Sequence, residues 1–244
     1  MRRSADLVET ALELGIRHFD VAPSYGLGTA EEVLGLVLGS VRDVTITTKV
    51  GIPRPPYSRG RGAARRVLKP LLGHSRPLRS LVMTFRSGRS AERKLPPIRL
   101  TPHEIRSSLE ESLRLLRRDS VDVLLLHEPS RLDLNDEIEH CLGELVTQKL
   151  ISQYGIGIDA AGDRWRRFGS VWQSRWPQDG IDSYEGDLTY VFHGAIRYAS
   201  AAEEGSSTVD AATAVSDVLR RAPRSVVLVS SSSTKHLREL MAVQ

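Results

Sequence analysis

Helical and short apolar segments alternate along almost the whole chain, and that alternation constrains the fold more than any other feature. Residues 121–126 read VDVLLL, a nearly unbroken apolar run of the kind that a parallel strand covered on both faces requires. Leu7, Ala11 and Leu14 recur at helical spacing before it, and Gly15 suits a helix stop. A short strand over 16–20 follows, then a helix over 30–38 and a β-branched strand over 44–49. Thr101, Pro102 and Glu104 form a helix-start pattern, and Leu109, Leu113 and Leu116 share one face of the helix it opens. The series continues with a helix over 135–148 and a strand over 153–158. From 160 to 187 the pattern blurs, with a helix around 163–168, a strand around 170–174 and a loop. A strand over 188–192, a helix over 208–221, a strand over 225–229 and a helix from Thr234 complete it.

Strands alternating with helices imply βαβ units and a parallel sheet. About seven such strands point to the eight-stranded (β/α) TIM-type barrel, in which chains run to about 250 residues. This chain has 244, but a stretch from Arg54 to Arg99 interrupts the pattern. Of 34 basic and 30 acidic residues, that stretch holds 13 and one, leaving 21 and 29 elsewhere. The protein is a mildly acidic body with one basic insert following the Lys49 strand. Without the insert roughly 195 residues remain, short for such a barrel, and the chain opens on a helix. The expectation is a single α/β domain over 1–244, a barrel lacking its first strand.

With 40% hydrophobic residues the chain can bury a core, which excludes a disordered protein. No run of about 18 apolar residues or signal-peptide core is present, so no membrane partner is expected. Cys141 is the one cysteine and no Cys/His group has zinc spacing, so neither disulfide nor metal is expected and the cytoplasm is the simplest location. The Cys141 thiol reads as a packing group.

Asp20, Tyr25, Lys49 and His127 fall at, or just beyond, the carboxyl ends of successive strands. In a (β/α) barrel those ends open on one face, where active sites form. Singly, each has a plain structural reading: a surface ion pair, a packing tyrosine, a core histidine. Their joint placement argues for one pocket.

Around them stand GIRHFDVAPSYGLGTAEEVLG over 15–35, ITTKVG over 46–51 and SLRLLRRDSVDVLLLH over 112–127. Together these segments resemble the signature segments of the aldo-keto reductases. The matches keep the family's order and cover roughly residues 6–158. The resemblance implies hydride transfer between NAD(P)H and a small carbonyl, with Tyr25 as proton donor. A free phenol has a pKa near 10, so it is a sluggish acid at neutral pH. An ammonium about 4 Å away favours the phenolate by about 4 kcal/mol at an effective dielectric of 20. By resemblance Lys49 supplies that charge, Asp20 keeps it protonated and His127 orients the carbonyl. A relative that keeps these residues but only binds a dinucleotide or a partner is the alternative.

Gly26 and Gly28 are not followed by the third glycine of a Rossmann phosphate loop, since Glu31 stands there. The resemblance instead implies a cofactor laid across the barrel mouth. Asp159, beside Ile158, stands where the family commonly has a Ser-Asn pair, and Gln173 matches its amide-binding glutamine. Phe192 either stacks on nicotinamide or packs in the core. Ser231, Ser232, Ser233 and Lys235 lie where the family holds the adenosine phosphate at a helix start, a place suited to anions. Lys235 or His236 as the cation there favours NADP(H) over NAD(H). The insert reads as a lid steering an anion, or as a solvated loop. With Tyr57 and Phe85 as its aromatics it is a poor nucleic-acid arm. Substrate and oligomeric state are left open.

Overall fold

The computed structural model describes residues 2–55, 97–159, 168–176, 187–196 and 211–242. All but the last residue of the expected helix around 163–168, and most of the basic insert, lie outside these residues. Seven parallel strands form one sheet in chain order: β1 (His18–Asp20), β2 (Thr45–Val50), β3 (Val121–His127), β4 (Ile151–Gly157), β5 (Val171–Arg175), β6 (Thr189–His193) and β7 (Ser225–Val227). The helices described are α1 (Arg2–Glu13), which precedes β1, α2 (Ala30–Leu38), α3 (Pro102–Leu116), α4 (Asp136–Thr147), α5 (Ala211–Arg221) and α6 (Thr234–Met241), which follows β7. This is the (β/α) barrel plan curled but open. Among the described residues no strand pairs with the outer edge of β1 or of β7. None of the described helices is long and apolar enough to cross a membrane.

Strand periodicity sorts the side chains. Leu124, Leu126, Ile46 and Ile156 face outward into the main core, where Ile105, Leu109 and Leu116 of α3 and Leu142 of α4 meet them. Val123 and Leu125 alternate inward and join Val171 and Val191 inside the curl. Trp176, Tyr190 and Phe192 form a third cluster with Val218 of α5. Helix α3 starts as its sequence predicts: Thr101 accepts from the Glu104 amide at 3.2 Å, with Pro102 at the first helical position. Cys141 is buried on α4, and burial pushes its thiol pKa up, as suits a packing residue.

Candidate active site

Register places the polar residues at one level. His127 pairs with Gly157 and Gly157 with Gln173, so the last residues of β3 and β4 stand level with Gln173, and β5 runs two residues further. Asp20 ends β1 opposite Thr47, two residues before Lys49. Because side chains alternate, Lys49 shares the inner face with Thr47, whose hydroxyl lies 3.4 Å from His18 Nε2. Thr48 faces out.

Lys49 is 1% exposed. Its Nζ pairs with Asp20 Oδ1 and donates to the Val21 carbonyl at 3.3 Å. The other Asp20 oxygen accepts from Gln173 Nε2 at 2.8 Å. Tyr25 arrives on a 3₁₀ turn (Tyr25–Gly28) just beyond β1, with Gly26, Leu27 and Gly28 all at positive φ. Those two glycines therefore serve this turn, where a left-handed backbone is needed. The Lys49 ammonium lies 4.7 Å from the Tyr25 ring centroid, and the His127 ring meets Tyr25 edge-on at 5.8 Å. The four residues named from strand ends thus converge.

They stand at the polar end of a cavity of about 910 Å³ lined by Asp20, Tyr25, His127 and Gln173. Lys49 does not line it and reaches it through its contacts with Asp20 and the Tyr25 ring. The cavity extends past Ile16 and Val226 towards Val215 and Leu237, into the opening between β1 and β7.

The cofactor residues inferred from sequence divide. Asp159, Gln173 and Ser231 line the cavity. Asp159 also pairs with Arg175 at 2.9 Å. Phe192 is buried, 4.9 Å from Trp176 between ring centroids, and does not reach the cavity. Ser232 does not line it. Ser233 caps α6 by accepting from the His236 amide at 3.5 Å, and Lys235 pairs along the helix with Glu239.

Sequence reasoning passed over two features. Glu128, directly after His127, lines the cavity at φ 53°, and its Oε1 accepts from the Asp159 amide at 2.7 Å. Glu31 is fully buried beside Arg54 and Thr48. A carboxylate immediately past a strand end, and one in the first turn of an apolar helix, were the available signals.

A family model described as "Aldo/keto reductase family" matches residues 1–163. D-threo-aldose 1-dehydrogenase of a Pseudomonas species is 32% identical over 156 residues, which is 62% of this chain and 42% of that enzyme. The chain spans at most about two fifths of the length of the curated relatives it matches. Among solved structures, glycerol dehydrogenase from Gluconobacter oxydans superposes with a TM-score of 0.70 at 17% identity, over 99% of this chain and 80% of that one. An aldo-keto reductase from Klebsiella pneumoniae in complex with NADPH gives 0.63 at 17%, over 99% and 78%. Both likenesses concern the fold.

Proposed function

Because this chain belongs to the aldo/keto reductase family, we propose that it is an NAD(P)H-dependent oxidoreductase reducing an aldehyde, ketone or sugar carbonyl, or running the reverse. One observation carries the reading: a buried Lys49 ammonium held by Asp20 lies 4.7 Å from the ring of Tyr25 at the polar end of a cavity. Tyr25 donates its hydroxyl proton to the carbonyl oxygen as the alcohol forms. The ammonium stabilises the phenolate left behind, and the Asp20 carboxylate keeps that ammonium charged in a dry position. His127, edge-on to Tyr25, orients the carbonyl.

The residues at the cavity suit a dinucleotide. A Cβ on Gly157 would meet Gln173 Oε1 at 2.9 Å, so the bare glycine keeps the floor open where Gln173 and Asp159 would hold the carboxamide. Ser231 and the start of α6 suit a phosphate, and Lys235 beside them supports NADP(H) over NAD(H). What the bound cofactor supplies is the hydride. A sugar carbonyl is favoured within the substrate class by the aldose dehydrogenase among the relatives.

NADPH oxidation measured against a panel of small carbonyls tests this. Wild type turns over, and Tyr25→Phe loses about 10²–10⁴-fold in kcat with NADPH affinity kept. That no strand among the described residues pairs with the outer edges of β1 and β7 supports one rival, a barrel that binds dinucleotide or partner without turnover. Inert wild type and variant with NADPH still quenching tryptophan fluorescence would establish that rival.

A further inference from the structure

The turn that carries Tyr25 has no side-chain cap at Ser24, yet it holds Leu27 at φ 58°. A left-handed non-glycine residue is strained and persists only where its surroundings over-determine it. Leu27 is 51% exposed, so its own packing does not do so. Thr29 Oγ1 donates to the Gly26 carbonyl at 2.8 Å within the turn, and a junction outside it adds a second hold at Gly28. Glu31, second residue of α2, is 0% exposed. Its Oε1 accepts from Thr48 Oγ1 at 2.6 Å, and its Oε2 pairs with Arg54 Nη2. Arg54 Nη1 donates to the Gly28 carbonyl at 2.7 Å. Gly28 sits so close that a Cβ there would meet Arg54 Cγ at 3.0 Å. One guanidinium therefore ties the last residue of the Tyr25 turn to a buried carboxylate. That carboxylate is bonded in turn to the residue preceding Lys49. None of Thr48, Glu31 and Arg54 lines the cavity.

We propose that Glu31 and Arg54 are positioning residues: the Thr48–Glu31–Arg54–Gly28 junction fixes the Tyr25 turn against the Lys49 strand and so sets where the phenol stands. The inference rests on Tyr25 being the proton donor. A rigid planar fork serves two acceptors at a fixed angle, which a lysine ammonium on a flexible stem does not. Displacing a reacting group by about 1 Å costs on the order of 10²-fold in rate.

Two variants test it. Arg54→Lys keeps a cation beside Glu31 but loses the fork. Glu31→Gln with Arg54→Leu removes both charges together, so neither is left buried alone. Each is assayed for kcat and KM with NADPH and 4-nitrobenzaldehyde, and for NADPH affinity by tryptophan quenching. Ring-labelled tyrosine NMR, with Tyr25 assigned by Tyr25→Phe, reads the turn without any turnover. Arg54→Lys should lower kcat about 10- to 100-fold while KM and NADPH affinity stay within about two-fold, and the Tyr25 resonance should move. A folded double variant with wild-type kcat, or an unmoved Tyr25 resonance in both variants, overturns the proposal. If wild type reduces no carbonyl while the resonance still moves, the reductase reading fails and the junction's hold on Tyr25 stands.

Discussion

His18 shares the inner face of β1 with Asp20 and shows how tightly the polar end is enclosed. Burial lowers its pKa from 6.5; Asp20 and Asp122 oppose that shift, while Lys49 adds to it. The folded state therefore keeps His18 neutral where the unfolded chain takes up a proton. Stability from this group is complete above its unfolded value of 6.5 and is lost as pH falls through 6.5 towards the folded value. Thermal midpoints measured between about pH 7.5 and 5.5 should fall for wild type and fall less for His18→Gln. Equal slopes would remove His18 as the source. At this scale the sequence was legible where chemistry coincided with strand ends, as for Asp20, Lys49 and His127. Arg54 was not legible. It heads a run of thirteen basic residues, so its charge reads as part of that run, and its partner Glu31 lies on another element.

Helix α2 carries Glu31 and must lie close against α3. Gly35 permits this: a Cβ there would come within 2.0 Å of the Leu115 carbonyl oxygen and 2.9 Å of Leu116 Cα, backbone atoms that cannot yield as side chains do. Gly35→Ala should destabilise by about 2–3 kcal/mol in urea unfolding. Gly143, inside α4 with nothing within 4 Å of such a Cβ, is the control. Gly143→Ala should gain about 0.5–1 kcal/mol. Equal effects at the two sites would mean that close helix approach is not what Gly35 provides. The seven strands and six helices described all show in the sequence, and so do some of their ends, such as both ends of α2 and the starts of α3 and α6; other ends do not. Helix α3 stops on Arg117 at φ 56°, a left-handed residue that a search for glycine misses. The apolar run over 225–229 yields a strand of only three residues, Ser225–Val227. That strand pairs with β6 alone among the described residues, so no second neighbour extends the ladder.

The molecule as a whole combines an open barrel with a charge asymmetry that periodicity could not place. The expected missing strand corresponds to the opening between β1 and β7, where the cavity runs under helices joined by the Arg238–Glu13 pair at 3.0 Å. The basic insert leaves and re-enters at adjacent points: the Ile98 amide donates to the Gly51 carbonyl at 2.8 Å. Ile52 and Pro55 line the cavity, so the departure point lies at its rim. A short Gly-Ser linker can therefore replace residues 56–96 without pulling the ends apart, and it leaves Arg54 and its junction in place. The replacement removes eleven basic residues and one acidic one, which takes the formal charge from +4 to −6. A dinucleotide is an anion, and long-range attraction to it weakens with salt. If the insert steers the cofactor, the shortened protein keeps its thermal midpoint but binds NADPH more weakly, with a flatter dependence of affinity on salt. Fluorescence titrations at about 0.05 and 0.5 M salt decide it, since the Debye length shrinks several-fold across that range. An affinity and salt slope matching the parent chain would exclude the insert from cofactor capture and leave that task to the mouth residues.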